Sequence, residues 1–255
     1  MLAIRGSQNL TQNDQLTYAP RRGDESNGAW LARHLPAADD GLLRLLLVGG
    51  AEPLHFRLRV AQAHARHDLS PSHWSHVALL STTSRGRRQL WECALDPEDG
   101  FGFPPEDNAF RFGALEAYDD PRRFPNVALL TTGARHEAVL SKPAIHAFRH
   151  QRAAVDVVAL LHAWLGYAWG VGASANPLQQ GLGVPSAAAA DTLLASAGFD
   201  LTPGLSSRAS CPEVIWQAAK WWQRPADAGA GAQLRGVFCL EHALGARLGP
   251  KGRRR

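Results

Sequence analysis

Cysteine is scarce in this 255-residue sequence, which contains only Cys93, Cys211 and Cys239 and no CxxC pair. Three scattered cysteines are too few for the disulfide framework of a small secreted domain. The missing CxxC spacing also removes the usual beginning of a zinc site. A single reactive thiol is still compatible with this count.

Long apolar runs and a leader-like beginning are also missing. The most apolar stretches, around 42–48 and 155–169, are interrupted by charged residues and are too short to span a membrane. Residues 1–18 are mostly polar and lack the charged start and apolar centre of a secretory signal. We therefore expect a soluble, cytoplasmic protein, unless a dedicated secretion system exports it.

The body of the chain has no excess charge of either sign. The formal net charge is +4, from 27 Lys+Arg and 23 Asp+Glu, but residues 251–255 (KGRRR) hold four of the basic side chains. That leaves 23 basic against 23 acidic residues in the rest. A nucleic-acid-binding domain normally carries a basic face, so we expect no nucleic-acid partner.

Composition and pattern predict one large domain with extensions. Hydrophobic residues make up 45% and charged residues 20% of the chain, which are ordinary globular values. We divide the sequence into an irregular N-terminal arm (1–40) with a short helix near 29–34, a domain (41–245) and a flexible basic tail (246–255). The arm and the tail are not expected to carry chemistry.

The domain reads as an α+β fold. Apolar runs predict strands, two of them joined by a turn as a hairpin, and 3.6-residue patterns predict helices. The strands are expected at 42–48, 76–82, 89–94, 126–132 and 234–240, and the helices at 134–148 with a break at Pro143, at 151–165, at 187–197 and at 212–222. The loop 96–125 is long enough to shape a cleft.

Cys211 stands at a predicted helix start. Pro212 suits the first helical position, which makes Cys211 the N-cap. Free amides and the positive end of the helix dipole lower a thiol pKa there, and a thiolate is the reactive nucleophile. The same amides could hold the oxyanion of a tetrahedral intermediate. The plain alternative is a buried packing cysteine, the role we assign to Cys93 and Cys239.

The predicted hairpin supplies a base and a partner for it. A turn centred near Ser84 places His76 directly opposite Glu92, and a register shift of two leaves the pair diagonal on the same face. An imidazole beside a carboxylate is the base-and-orienter half of a nucleophilic triad. A core histidine or an ion pair at the rim is the alternative reading.

The other histidines do not form a recognisable site. His73 is kept as a second candidate base, although a loop residue lining the cleft is the simpler interpretation. Five more histidines lack the spacing of a ligand set and are read as solvated side chains: His64, His67, His136, His146 and His150. We therefore expect neither a metal nor an organic cofactor.

Four segments together resemble the circularly permuted NlpC-type papain-like hydrolases, including the YiiX-like group. They are 75–79 (SHVAL), Glu92 on the next strand, 166–170 (GYAWG) and 210–216 (SCPEVIW), in the order histidine, carboxylate, cysteine. The resemblance covers roughly residues 42–240. Two departures stand out: a Gly-Asp pair common in the group appears as Gly49-Gly50, and Cys-Ser-Glu appears as Cys-Pro-Glu at 211–213.

The resemblance implies a permuted papain-like fold, with an antiparallel sheet packed against the helix that begins at Cys211. It also implies a thiol-dependent peptidase or amidase with a Cys211–His76–Glu92 triad, acting on a peptide or acyl substrate such as a cell-wall peptide. Two alternatives stay open. One is a Cys/His acyltransferase or lipid deacylase, and the other is an inert binding protein that retains the fold. The sequence leaves the oligomeric state open.

Overall fold

A computed structural model describes residues 16–82, 88–95, 107–170, 174–221 and 234–242. Within these ranges the chain forms a seven-stranded sheet with α-helices packed against it. The strands are β1 (Leu16–Tyr18), β2 (Leu42–Gly49), β3 (His76–Thr82), β4 (Arg88–Glu92), β5 (Arg111–Gly113), β6 (Asn126–Arg135) and β7 (Arg235–Leu240). The α+β class predicted from the sequence is confirmed.

The helices are α1 (Asn27–His34), α2 (Pro53–Ala61), α3 (His136–Val139), α4 (Lys142–His150), α5 (Val157–Trp169), α6 (Pro185–Ser196) and α7 (Pro212–Trp221). Side chains at three of the starts explain where the helices begin. Ser26, Ser141 and Asp156 each accept a hydrogen bond from a first-turn amide. The break expected at Pro143 lies slightly earlier, at Ser141, and the helix expected at 151–165 begins only at Val157, after its Asp156 cap.

The sheet order is β1-β7-β6-β2-β3-β4-β5. β1 pairs with β7 in parallel, and the other neighbours are antiparallel. The sheet is therefore mixed, and the wholly antiparallel sheet predicted from the sequence is corrected at this edge. β2, β3 and β6 form the centre, where Leu and Val side chains are buried on both faces of the sheet. Strands buried on both faces have continuous apolar sequences, so their positions could be predicted well from the sequence. The hairpin turn at 83–87 lies outside the described residues.

Each central strand sends alternate side chains into two different cores. The larger core contains Val77 and Leu79 of β3, together with α5, α6 and the start of α7. The smaller core lies on the other face and contains Ala78 and Leu80, together with α1 and Tyr118. The period of two along a strand therefore decides which helix a given side chain meets.

Part of the predicted N-terminal arm belongs to the folded body. Residues 16–18 extend the sheet, and Trp30 of α1 is fully buried, donating its indole N–H to the carbonyl of Ala19 at 2.8 Å. The irregular arm predicted for this part is therefore wrong, although its short helix is found. Polar residues dominate the segment, and the few apolar ones do the packing. Residues 1–15, the loop segment 96–106 and residues 243–255, which include the predicted basic tail (246–255), lie outside the described residues.

In the described ranges, no helix combines the length and the apolar character that a membrane crossing requires.

Asn126 ties three segments together at the start of β6. Its fully buried amide donates to the carbonyls of His73 (3.0 Å) and His242 (2.8 Å), and its oxygen accepts from the amides of Glu241 and His242, both at 3.0 Å. All of its hydrogen-bonding capacity is used on backbone groups that would otherwise lack partners.

We predict that Asn126→Ala lowers the free energy of unfolding by roughly 2–4 kcal/mol, because it leaves several backbone groups buried without partners. Urea denaturation of the variant and of Gln179→Ala, a change at an exposed position, measures the difference. An Asn126→Ala variant as stable as the Gln179→Ala control would contradict this role.

Candidate active site

His76 and Glu92 form the hydrogen-bonded pair that the sequence predicted. The register between β3 and β4 places Leu79 opposite Trp91 and Leu80 opposite Leu90. His76 is therefore diagonal to Glu92, two residues away from the directly opposite position. The imidazole Nε2 lies 2.7 Å from Glu92 Oε2, and both side chains are buried.

Tyr118 completes the pair from a short 3₁₀ turn at Leu115–Tyr118. Its hydroxyl donates to the same Glu92 oxygen at 2.5 Å, and its ring stacks on the His76 ring with the centroids 5.4 Å apart. Tyr118 lies in the 96–125 loop, which the sequence predicted only as a cleft-forming segment. No local pattern marked this residue, because its partner is 26 positions away in the chain.

Glu92 is held in its charged form. Burial would raise the pKa of this carboxyl, but the hydrogen bond from His76, the nearby imidazole charge, the Tyr118 hydroxyl and the Arg111 guanidinium outweigh burial and lower it below its usual value. An anionic Glu92 accepts the hydrogen bond from His76 Nε2, which places a proton on that nitrogen. The other ring nitrogen, Nδ1, has no hydrogen-bond partner among the described residues, and His76 lines a cavity described below.

A second imidazole lies beside the pair. His55 stands in the first turn of α2, and its Nδ1 is 2.9 Å from the hydroxyl of Ser75, which also accepts from the amide of Gly50 at 3.1 Å. Burial and the charge of His76 lower the pKa of His55 to about 4, so this ring is neutral at physiological pH. A Cβ at Gly50 would overlap the His55 ring, which gives the Gly49-Gly50 departure a structural reason.

These groups line one cavity of about 200 Å³. His55, His76, Glu92 and Tyr118 contribute the polar wall, and the apolar wall comes from side chains such as Leu54 and Phe124. Two cationic side chains complete the lining, Arg111 and Arg123. No local sequence pattern marks His55, Tyr118 or the two arginines as site residues. They come from four separate segments, and only the folded chain brings them together.

Cys211 occupies the predicted helix start but not this cavity. Its carbonyl accepts the first helical hydrogen bond, from the amide of Ile215 at 3.1 Å, so it is the N-cap of α7. It is only 1% exposed and belongs to the larger core with Val77 and Leu79. His76 faces the opposite core, and the described residues include no hydrogen bond between the two side chains. The structure therefore does not bring the predicted nucleophile to the predicted base.

The low thiol pKa predicted for Cys211 is also wrong. Burial raises the pKa to about 12, although the backbone amides of Val214 and Glu213 act in the opposite direction. No histidine is among the groups that act on this thiol. The helix-end effect is present, but desolvation of a fully buried sulfur is stronger.

Glu213 anchors the start of α7. Its fully buried carboxylate accepts from the Ser72 hydroxyl at 2.6 Å and from the Gln217 amide at 2.5 Å, and its own backbone amide donates to Gln62 at 2.8 Å. Arg66 lies 3.5 Å from the same carboxylate. The Cys-Pro-Glu motif therefore contributes a structural acid, a role that the sequence did not reveal.

The remaining sequence candidates lie elsewhere. His73 is largely buried outside the cavity lining, with its carbonyl bound by Asn126 and its pKa lowered to about 4, mainly by burial. Cys93 and Cys239 are fully buried in the two cores, so their packing roles are confirmed. Within the described ranges, no group of three or more His, Cys, Asp or Glu side chains could hold a metal ion.

We predict that native Cys211 reacts with iodoacetamide at neutral pH far more slowly than in urea, because its thiol is buried and its pKa is raised. Mass spectrometry of peptides after timed alkylation measures the rate, with buried Cys93 as the internal control. Rapid labelling of Cys211 alone in the native protein would overturn this assignment.

Glu92 should make stability sensitive to acid. The pKa of Glu92 is lower in the folded chain than in the unfolded chain. Its contribution to the free energy of unfolding is therefore complete above the unfolded-state pKa of about 4.3, and it is lost as the pH falls through the folded-state pKa. Urea denaturation from pH 7 to pH 3 should show the stability difference between wild type and Glu92→Gln shrinking as pH falls. A difference independent of pH would exclude a lowered pKa.

The comparisons with known proteins identify no relative: no family model, no curated protein and no solved structure matches this chain.

Proposed function

We propose that this protein is a hydrolase of amide or ester bonds in which His76, oriented by Glu92, is the general base. The observation that carries the proposal is the hydrogen bond between His76 Nε2 and Glu92 Oε2 at the wall of a cavity. Because the Glu92 carboxylate is anionic, Nε2 is the protonated nitrogen. The lone pair is then on Nδ1, the nitrogen without a hydrogen-bond partner among the described residues.

The nucleophile favoured by this geometry is a water molecule in the cavity. His76 Nδ1 takes a proton from the water as its oxygen attacks the carbonyl carbon, and Glu92 stabilises the imidazolium that forms. The imidazolium then returns the proton to the leaving nitrogen or oxygen as the carbon–nitrogen or carbon–oxygen bond breaks. The products are a carboxylic acid and an amine or alcohol.

His55 is suited to hold the substrate carbonyl. The Ser75 hydroxyl has one proton and two acceptors within reach, His55 Nδ1 at 2.9 Å and the Val48 carbonyl at 3.2 Å. In the proposed arrangement it donates to His55 Nδ1, so the second nitrogen, Nε2, carries the proton. A neutral imidazole can donate this proton as a hydrogen bond to the carbonyl oxygen and to the oxyanion that replaces it. The low pKa of His55 keeps the ring neutral and leaves His76 as the imidazole that exchanges the proton.

The cavity favours a substrate with a negative charge near the reacting carbonyl. Arg111 and Arg123 line it together with the two imidazoles, and guanidinium groups bind carboxylates in a fixed geometry. Arg123 already lies 2.7 Å from the exposed Glu52, so a substrate carboxylate would compete with a solvent-accessible partner. A short peptide with a free carboxylate fits this description.

A thiol-dependent hydrolase is the second candidate, in line with the resemblance to permuted NlpC-type enzymes. The observation in its favour is that the amides of Glu213 and Val214 act on the Cys211 sulfur, as they would in an oxyanion-binding helix start. This mechanism requires Cys211 to leave the larger core and come within about 4 Å of His76. The first mechanism needs no such change.

Hydrolysis of p-nitrophenyl acetate and of carboxylate-bearing peptide p-nitroanilides tests the proposal. We expect His76→Ala to lower kcat/KM by at least about 100-fold, the range typical of a general base, and Glu92→Gln to lower it with little change in KM. His67→Ala removes an exposed imidazole that lines neither cavity and is the matched control.

Cys211→Ala separates the two mechanisms. Activity that survives this change and disappears in His76→Ala supports the water mechanism. Loss of activity in folded Cys211→Ala, with a covalent adduct on Cys211 in the wild type, supports the thiol mechanism instead. Activity equal in wild type and His76→Ala would exclude both.

A further inference from the structure

A second cavity, of about 460 Å³, lies between the β4–β5 edge of the sheet and helices α3 and α4. Its walls include Ser81 and Trp91, whose positions on β3 and β4 place them on the face of the larger core. His76 and Glu92 face the opposite side. The cavity is therefore separate from the proposed hydrolytic site, and its function can be tested independently.

One wall of this cavity is aromatic. Trp91 and Phe112 are direct partners in the β4–β5 register, and their ring centroids are 3.6 Å apart. Behind them the indole stacks on Phe110, with the centroids 5.2 Å apart and the planes within 10°. Phe112 is 57% exposed even though its ring packs against Trp91. The result is a supported flat surface open to the cavity.

The opposite wall is basic. Lys142, His146, Arg149 and His150 lie along one side of α4 at spacings of three and four residues. The described lining contains no aspartate or glutamate. Arg149 is paired with Asp107, which lies outside the lining. Lys142 has no such salt bridge within the described residues and is exposed.

We propose that this cavity binds a small anion that carries a flat ring, of the nucleoside monophosphate type. The ring would stack on Phe112, and the phosphate would lie against Lys142 and the neighbouring imidazole of His146. The volume lies within the usual range for small-molecule sites. Because one unpaired lysine gives limited attraction for an anion, the aromatic contact must supply a substantial part of the affinity.

The two halves of the ligand can be tested separately. Isothermal titration calorimetry with AMP, adenosine and inorganic phosphate should show AMP binding at least about tenfold more tightly than either fragment. Phe112→Ala should weaken AMP and adenosine but leave phosphate unchanged, whereas Lys142→Gln should weaken AMP and phosphate but leave adenosine unchanged. Lys220→Gln, which removes an exposed lysine on α7, is the matched control.

Three results would overturn the proposal. They are no saturable AMP binding at millimolar concentrations, phosphate binding as tight as AMP, and AMP affinity unchanged in both cavity variants. Thermal unfolding checks each variant, and Phe112→Leu replaces Phe112→Ala if the alanine variant does not fold. The leucine variant still lacks the flat ring and should weaken AMP binding in the same direction.

Discussion

The alternation of side chains along β3 determines which groups of this protein can meet. The strand is buried on both faces, so each residue belongs to one core or the other and cannot be shared between them. His76 and Ala78 face Tyr118, whereas Val77 and Leu79 face the core that contains Cys211. Val77, the neighbour of His76, faces the core that holds Cys211, whereas His76 faces the other core. The predicted base and the predicted nucleophile therefore lie on opposite faces of the sheet.

The buried pair of His76 and Glu92 shows how the fold compensates for burying polar groups. Glu92 gives up most of its contact with water, and it receives in return hydrogen bonds from an imidazole and a phenol. Glu213 at the start of α7 also receives hydrogen bonds, from Ser72 and Gln217, but there burial outweighs them and raises the pKa of the carboxyl. In both places a carboxylate links segments that are distant in the sequence. The first of them lies at a cavity that holds other titratable side chains.

The sequence predicted the elements of the fold well where the signals are local. The apolar runs of β2, β3 and β6 and the Pro212 start of α7 are found close to their expected positions. The pairing of His76 with Glu92 was also predictable, since a hairpin needs only a turn to set its register. Even a register shift of two kept both side chains on one face.

The rest of the site could not be derived from local patterns. Cys211 has the helix position expected of a nucleophile, but the sheet face against which α7 packs is a tertiary property. Tyr118 and His55 reach the cavity from a loop and from a helix whose patterns did not indicate chemistry. The N-terminal residues were misjudged for a similar reason, because the burial of Trp30 depends on a sheet face formed elsewhere in the chain.

The central claim is that Glu92 fixes the proton of His76 on Nε2 and leaves Nδ1 as the base. Nitrogen-15 NMR of histidine-labelled protein, at a pH where the ring is neutral, measures this directly by distinguishing the two tautomers. Neutral His76 should be the Nε2–H tautomer in the wild type, and Glu92→Leu, which removes the acceptor, should abolish this preference. A His76 that carries its proton on Nδ1 in the wild type would contradict the account.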